Sequence, residues 1–229
     1  MAPREIAEAL ERDARLLVPV GTCESHGPHL PLGCDTIILD HLVDALSAEL
    51  QILRAPTIEY GVNTPHETAA PGSAGLRRKT LLRTLNELID AWEAGGVREF
   101  VLITAHGHDA HIEALSTVIT KEARVQAVDV LGAGMPEATD SPHGALHGDE
   151  IDTSLMLYLA PELVRMSRAV DSGLPGRRTR RANLRLPGQS TGSVGRPSAA
   201  SAAKGEAIFK RLKRLVRDKV LLTPVEDDD

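Results

Sequence analysis

Aromatic residues are scarce in this 229-residue sequence, where they make up only 2% of the positions. So few flat rings argue against a surface that stacks the bases of single-stranded nucleic acid. The formal net charge of -6 also argues against a general attraction to phosphate backbones, so nucleic acid is not an expected partner. The core must therefore be aliphatic, within a hydrophobic share of 42% that is ordinary for a globular protein.

Cysteine is also rare, since only Cys23 and Cys34 occur. Two cysteines are too few for a disulfide framework and fit a reducing compartment. We favour a role as small buried fillers for both, although their place beside a charged motif leaves metal ligation open. No stretch reaches the roughly 18 uninterrupted apolar residues of a membrane span, and the charged N-terminal segment lacks the apolar core of a signal peptide. We therefore expect a cytoplasmic protein without membrane contact.

The apolar residues follow the periods of short strands and amphipathic helices in alternation. The predicted strands are 15–21, 53–58, 99–105 and 124–131. The predicted helices are an N-terminal helix, 36–50, 79–94, a helix after 105 that runs through 122, 149–159 and 204–220. This alternation implies right-handed crossovers and a parallel sheet covered on both faces, so the fold class is α/β. The length favours a single domain over residues 1–229, with 226–229 as a disordered tail.

Two segments near the C-terminus have biased compositions. Residues 177–185 are basic, and residues 188–201 are small and polar. We interpret both as solvated segments, with a substrate-covering loop or a subunit contact as the alternative.

The loop after the first strand holds the densest group of metal-binding side chains. It contains Glu24, His26, His29 and Asp35 within twelve residues. Its glycines and prolines allow the tight backbone path that can point several side chains inward. Mixed carboxylate and imidazole ligands suit zinc, manganese or iron, and a carboxylate such as Asp35 can bridge two ions.

A second cluster of histidines, at His106, His108 and His111, follows the strand 99–105 directly. In an open parallel sheet, sites form beyond the carboxyl ends of the strands, so this cluster and the first should share one edge. A third cluster opens the helix 149–159 and contains His147 and Glu150. Seven of the nine histidines lie in these three short stretches: His26, His29, His106, His108, His111, His143 and His147.

Two aspartates of the third cluster, Asp149 and Asp152, can serve as ordinary caps at the positive end of that helix. Glu150 and His147 fit a capping role less well. Glu150 and His147 therefore stay candidate functional residues of the third cluster.

These motifs resemble those of the creatininase, or creatinine amidohydrolase, family. Glu24-Ser-His26-Gly-Pro-His-Leu-Pro-Leu-Gly-Cys-Asp35 is similar to its E-x-H-G-P-H-L-P-x-G-T-D signature. Other similar stretches are Tyr60-Gly61 with His66 and Pro71-Gly72-Ser73, Ala105-His106-Gly-His-Asp109, the segment from His147 to Ser154, and the segment from Gly192 to Gly205. The resemblance runs in order from about residue 15 to residue 206.

The resemblance implies a three-layer α/β/α subunit with a mainly parallel sheet and a centre of two divalent ions. It implies hydrolysis of a C–N bond in a small cyclic or linear amide, and assembly into a hexamer or another closed homo-oligomer. By position, the resemblance makes Glu24, His26, Asp35 and His106 metal ligands, with Asp35 as the bridge. The fifth ligand is Glu150 or His108, and Glu150 is preferred.

Several other side chains receive roles near the reaction. We expect His147 to carry a proton to the leaving nitrogen, because an imidazole titrates near neutral pH, and we group Glu150 with it as a catalytic residue. His66 either binds substrate or fixes its own loop by a hydrogen bond. His29 orients a ligand or the loop.

Departures from the family pattern argue against creatinine itself as the substrate. Ala70 stands where the family has phenylalanine, and Trp92, the only tryptophan, lies inside a predicted helix. The aromatic wall typical of creatininases is therefore missing. A peptide-processing or deformylating hydrolase is the alternative within the family. A non-catalytic small-ligand binder on a flavodoxin-like sheet is the alternative of another class, although no phosphate-binding glycine fingerprint follows the first strand.

Overall fold

The part of the chain that the structure describes contains a sheet of four parallel strands in the order β2-β1-β3-β4. In chain order the strands are β1 Arg15–Pro19, β2 Leu53–Arg54, β3 Glu99–Thr104 and β4 Arg124–Asp129. These positions come from a computed structural model, which describes residues 1–64, 70–132, 145–172 and 192–222. The parallel sheet predicted from the sequence is confirmed.

Six α-helices lie in the described ranges. They are α1 Pro3–Arg12, α2 Cys34–Leu50, α3 Arg78–Ala94, α4 Asp109–Ser116, α5 Glu150–Leu159 and α6 Ala202–Val216. Short 3-10 turns occupy Pro161–Leu163, Met166–Arg168 and Pro197–Ala199, and a π-helical turn occupies Arg217–Leu221. Among the described residues, no helix combines the length and the apolar character needed to cross a bilayer.

Alternate strand residues face opposite sides of the sheet and build two separate cores. On one side, Leu17 and Ile103 pack with apolar residues of α2, α5 and α6. On the other side, Leu16, Phe100 and Leu102 pack with apolar residues of α3 and α4. The three-layer α/β/α arrangement is therefore confirmed.

The helix predicted to run through residue 122 is shorter, because α4 ends at Ser116. The buried carboxylate of Glu93 in α3 accepts hydrogen bonds from the backbone N–H groups of Lys121, Glu122 and Ala123, at 3.0, 2.7 and 2.8 Å. These amides are satisfied by a side chain of α3 and not by carbonyl groups of a continuing helix. Nearer to the end of α4, the N–H group of Ile119 donates to Asn86 Oδ1 of α3 at 2.9 Å. The prediction was wrong here because the amides beyond Ser116 pair with side chains of α3.

The second strand is also shorter than the predicted 53–58, since β2 has two residues. Ile58 makes an isolated parallel bridge to Val20. Pro56 lies between these two pieces and has no N–H group to donate to a neighbouring strand. The other three strands begin where predicted and end one or two residues earlier.

The helix ends differ from prediction by small shifts. α2 begins two residues early, at Cys34, and α3 begins one residue early, at Arg78. α6 begins at Ala202 because the side chain of Ser201 accepts a hydrogen bond from the N–H group of Lys204. Its last predicted residues form the π-helical turn. Residues 177–185 and the tail 226–229 lie outside the described residues, and the single domain stays a prediction.

Candidate metal centre

The candidate centre lies beyond the carboxyl ends of β1 and β3, where parallel sheets place their sites. The loop after β1 supplies Glu24 and His26, the first turn of α2 supplies Asp35, and the loop after β3 supplies His106. His147 comes from the segment before α5. Glu24, His26 and Asp35 are fully buried, and His106 and His147 are 3% and 5% exposed. The fold thus brings together five titratable side chains from four separate segments.

Asp35 lies between two imidazoles, with one carboxylate oxygen towards each. Its Oδ1 is 3.1 Å from His26 Nε2, and its Oδ2 is 3.4 Å from His106 Nδ1. Glu24 Oε1 is 3.0 Å from His106 Nδ1 and 3.7 Å from His147 Nδ1. These contacts place both carboxylates within reach of the same cations.

Among the described residues, three groups of potential ligand atoms occur, and within each group the atoms lie within 4.8 Å of one another. The groups are Glu24 with Asp35 and His106, His26 with Cys34 and Asp35, and Glu24 with His26 and His147. The first two groups share Asp35, so this carboxylate can contribute to two adjacent cation positions.

Backbone carbonyl groups orient the three imidazoles. His26 Nδ1 is 3.4 Å from the carbonyl oxygen of Glu24, His106 Nε2 is 3.0 Å from that of Val62, and His147 Nε2 is 2.7 Å from that of Ser25. A carbonyl oxygen can only accept, so these ring nitrogens carry hydrogen and donate it. The other nitrogen of each ring therefore faces the carboxylates, as is usual for histidines that bind metal.

The charges in the centre shift the pKa values of its groups. Burial raises the pKa of the Glu24 carboxyl to about 7, although the charge of His106 opposes this rise. Burial by itself would lower the pKa of His26, but Asp35 and then Glu24 outweigh it and raise that pKa to about 9. For His106, burial is likewise outweighed by Glu24 and Asp35, which hold its pKa well above the ordinary value. Protons and a metal cation therefore compete for the same nitrogen atoms.

The donor set fits a divalent transition metal. Neither carboxylate oxygen of Glu24 nor Nε2 of His26 makes a hydrogen bond of good geometry with any described residue, although all three atoms are buried. Buried polar atoms that lack a well-formed hydrogen bond are uncommon and call for an explanation such as an ion. Carboxylate oxygens and imidazole nitrogens are ligands that zinc, manganese and iron accept.

The backbone of a single residue, Val62, holds the histidines of the second cluster. Its carbonyl oxygen accepts from His106 Nε2 and lies 3.1 Å from His108 Nδ1, and its N–H group donates to His111 Nδ1 at 3.2 Å. His111 Nε2 lies 3.1 Å from Thr104 Oγ1, and burial lowers the pKa of His111 well below its ordinary value. His111 is thus a neutral, buried support. Sequence reasoning assigned it no role, although its place in the histidine cluster was a signal.

The third cluster divides into a cap and a buried acid. Asp149 caps α5 by accepting from the N–H groups of Ile151 and Asp152. The side chain of Asp152 is fully buried instead, accepts from the N–H group of Gly148 at 2.8 Å, and its charge raises the pKa of His26. Of the two aspartates that the sequence offered as caps, only Asp149 caps the helix.

His29 fixes its loop to α5. Its Nε2 lies 2.9 Å from Thr153 Oγ1, and its carbonyl oxygen accepts from the N–H group of Arg165 at 2.8 Å. Burial lowers the pKa of this imidazole. These contacts match the loop-fixing role that the sequence suggested.

The structure does not bring the two candidates for the fifth ligand into the three groups. Glu150 is the first residue of α5, and its Oε1 lies 2.5 Å from Lys204 Nζ, which also donates to the carbonyl oxygen of Ala199 at 2.7 Å. His108 is half-buried, and the centre of its ring is 6.0 Å from that of His106. His66 and His143 lie outside the described residues.

A parallel α/β sheet with buried carboxylates and imidazoles at its carboxyl edge is typical of metal-dependent hydrolases of the α/β class. A family model described as creatininase, creatinine amidohydrolase, matches residues 1–219. The chain belongs to the creatininase family, as its motifs predicted, and is an amidohydrolase of C–N bonds.

Similar curated proteins carry different names. A 3-dehydro-scyllo-inosose hydrolase of Thermotoga maritima is 26% identical over 95% of this chain and 81% of that protein. A mycofactocin precursor peptide peptidase of Mycobacterium ulcerans is 29% identical over 86% of this chain and 80% of that protein. A creatinine amidohydrolase of Pseudomonas putida is 27% identical over 69% of each. Membership of the family therefore leaves the substrate open.

Solved structures confirm the fold. A creatininase crystal structure superimposes with a TM-score of 0.80 and 22% identity, covering 98% of this chain and 97% of its own. A manganese form of creatininase, with a TM-score of 0.77, and a mutant of the Zn-Zn type, with a TM-score of 0.78, each match at 22% identity over 96% of both chains.

Proposed function

We propose that this chain hydrolyses an amide-type C–N bond in a small cyclic or linear molecule, using two divalent ions held by Glu24, His26, Asp35 and His106. The observation that carries the proposal is the position of Asp35, whose two oxygens face different histidines. A carboxylate in that position can join two ions, and Glu24 and His106 complete one group around it. The manganese and Zn-Zn forms of related creatininases support zinc or manganese as the ions.

Such ions, when bound, lower the pKa of a water molecule towards neutrality and polarise a substrate carbonyl. The side chains of the chain then have separate tasks. Glu24 and Asp35 supply negative charge in a buried site, while the three backbone carbonyls keep the rings of His26, His106 and His147 oriented.

His147 is the proposed proton carrier. Its Nε2 is held by the carbonyl oxygen of Ser25, so Nδ1 is the atom that takes up and delivers a proton at the centre. Its ring stacks on that of His26 with a centroid distance of 4.2 Å, and its carbonyl oxygen accepts from the N–H group of Val194. An amide nitrogen leaves poorly unless it is protonated, so a positioned acid contributes to the rate.

The substrate is proposed to be an amide other than creatinine. Trp92, the only tryptophan of the chain, packs beside Phe100 in the core under α3, with a ring distance of 6.5 Å. It therefore does not supply an aromatic wall to the centre. The similar mycofactocin precursor peptide peptidases favour a short peptide as the second candidate substrate class.

Elemental analysis of the freshly purified protein tests the metal centre first. We expect about two equivalents of zinc, manganese or iron per chain, since Asp35 can serve two positions. Glu24→Gln should lose most of this metal together with hydrolysis, because the amide is a neutral and weaker ligand. Glu87→Gln on the exposed face of α3 is the matched control. Stoichiometric metal and full turnover in Glu24→Gln would contradict the ligand assignment.

A substrate panel then separates the reactions. Cyclic ureides, formamides, short peptides and 3-dehydro-scyllo-inosose represent the amide, deformylating, peptidase and inosose alternatives. Hydrolysis of none of them, in a protein purified without near-stoichiometric metal, would favour the non-catalytic binder instead.

We also propose a closed homo-oligomer located in the cytoplasm. Closed symmetric assemblies are the common state of homomers, and neither Cys23 nor Cys34 forms a disulfide, as expected in a reducing compartment. Light scattering coupled to gel filtration would measure the subunit number.

A further inference from the structure

Cys34 lies inside the candidate metal centre, beside His26 and Asp35. It is the first residue of α2, directly before Asp35, and its side chain is fully buried. Its sulfur, a nitrogen of His26 and an oxygen of Asp35 lie within 4.8 Å of one another. Cys23 differs, because it is half-buried and its Sγ contacts the carbonyl oxygen of Gly72 at 3.6 Å.

Without this sulfur, the two groups that share Asp35 have different numbers of potential ligands. The first has Glu24 and His106 beside the shared carboxylate, whereas the second has only His26 beside it. His26 Nε2 is buried, makes no hydrogen bond of good geometry with a described residue and lies 3.1 Å from Asp35 Oδ1, so these two atoms can bind one cation together. Three protein ligands and an open position are typical of a catalytic zinc ion.

We propose that Cys34 Sγ is the third protein ligand of the second ion, beside His26 and Asp35. This inference rests on the proposed metal centre. Glu150 is held by Lys204, and His108 Nδ1 lies against the carbonyl oxygen of Val62, so neither competes in the described geometry. Glu24 and His147 also lie near His26, but Glu24 belongs to the first group and His147 is the proposed proton carrier. On binding, the thiol gives up its proton to solvent and its sulfur forms the bond to the metal.

A thiolate ligand changes which metal ion the centre prefers. Sulfur is a soft ligand that favours zinc and iron, whereas manganese prefers oxygen ligands. The second position should therefore select zinc over manganese more strongly than a position built from oxygen and nitrogen alone.

Cobalt substitution tests the sulfur ligand directly. Metal-free wild type loaded with Co²⁺ should show the intense near-ultraviolet absorption of a thiolate bound to cobalt. The Cys23→Ser control should keep this absorption, whereas Cys34→Ala and Cys34→Ser should lose it. In the same variants of Cys34, the preference for Zn²⁺ over Mn²⁺ should fall by about tenfold or more, the size of effect seen when groups around a metal are removed.

X-ray absorption of the zinc-loaded wild type supplies a test that needs no variant. A sulfur neighbour at about 2.3 Å from zinc is expected. Bound metal without a sulfur neighbour, or a cobalt absorption that survives in a folded Cys34→Ala, would overturn the role of Cys34 and leave the proposed hydrolase intact. A wild type that binds no divalent metal would overturn both.

A His108→Asn variant distinguishes Cys34 from His108 as the ligand of the second ion. It should keep the cobalt absorption and both ions if Cys34 is the ligand. Loss of the second ion in His108→Asn, together with a wild-type spectrum that lacks the sulfur absorption, would assign the position to His108 and reject the proposal.

Discussion

At the scale of single residues, the task of each histidine depends on which ring nitrogen faces the carboxylates. His26 presents Nε2, whereas His106 and His147 present Nδ1. The sequence identified these three residues but could not identify the nitrogen. The partner carbonyl of His106 lies 44 residues away, at Val62, and that of His147 lies 122 residues away, at Ser25. Such contacts follow from the folded loops and leave no local pattern.

Replacing His147 by Asn should slow turnover by about 100-fold or more, because an amide cannot carry a proton. The bound metal should stay, since the proposed role of this ring is proton transfer. Turnover of the best panel substrate and elemental analysis measure the two effects. His41→Asn, at an exposed position of α2, is the matched control. An unchanged turnover number would reject the proton carrier, and lost metal would make His147 a ligand.

The metal-free protein should lose stability as the pH rises. The pKa of His26 is raised from 6.5 to about 9, so its contribution is fully present below about pH 6.5 and is lost as the pH rises through 9. The pKa of Glu24, raised to about 7, acts in the same direction because ionising this buried carboxyl opposes folding. Thermal unfolding in the presence of a chelator measures the effect.

In that experiment the melting temperature should fall between pH 6.5 and 9, and His26→Gln should reduce the fall. His41→Gln should behave as wild type. A melting temperature of the metal-free wild type that does not change with pH would show that His26 and Glu24 do not take up the expected protons.

At the scale of elements, side chains of neighbouring helices decide where some segments end. The local pattern predicted most residues of α2, α3 and α5 correctly, because amphipathic spacing and caps such as Asp149 depend only on residues close together in the sequence. It overran α4, because the backbone N–H groups of Ile119 and residues 121–123 pair with Asn86 and Glu93, which are residues of another helix. Helix boundaries that depend on tertiary contacts therefore cannot be predicted from the local sequence pattern.

Glu93→Gln should lower the melting temperature, because a neutral amide replaces a carboxylate that accepts three backbone N–H groups. Hydrogen bonds to these groups lower the pKa of Glu93. A lowered carboxyl pKa gives stability that is present above the unfolded value of 4.5 and is lost as the pH falls through the folded value. The difference from wild type should therefore shrink in acid.

Thermal unfolding of both proteins at neutral and acidic pH measures this effect. Glu87→Gln, whose partner Arg83 is exposed, should be nearly neutral. A melting temperature equal to that of wild type would mean that the loop at 121–123 does not need the carboxylate.

At the scale of the whole molecule, metal binding and folding are coupled. The proposed ligands come from segments as distant as those of Glu24 and His106, so an unfolded chain cannot offer them together. The sequence predicted that these segments meet, because the strand ends of a parallel sheet share one edge. It did not predict that Glu150 pairs with Lys204, since that contact depends on how α5 packs against α6.

Adding zinc to the metal-free protein should stabilise it. At a free concentration of 100 times the dissociation constant, one site contributes about 2.7 kcal/mol to the free energy of unfolding. Chemical denaturation at several zinc concentrations measures the gain, and Glu24→Gln should show little of it. An equal gain in that variant would place the stabilising ion elsewhere.

The backbone contacts of Val62 have a consequence for sequence variation in the family. Its carbonyl oxygen and N–H group belong to the main chain, so a different side chain at this position would keep the atoms that hold the rings of His106, His108 and His111. The neighbouring Gly61 has no such freedom, because a Cβ there would meet His111 Cε1 and Thr22 Cγ2 at 2.6 Å. An alignment of homologues would therefore flag the glycine and overlook the valine, although the valine's backbone sets the tilt of the imidazoles.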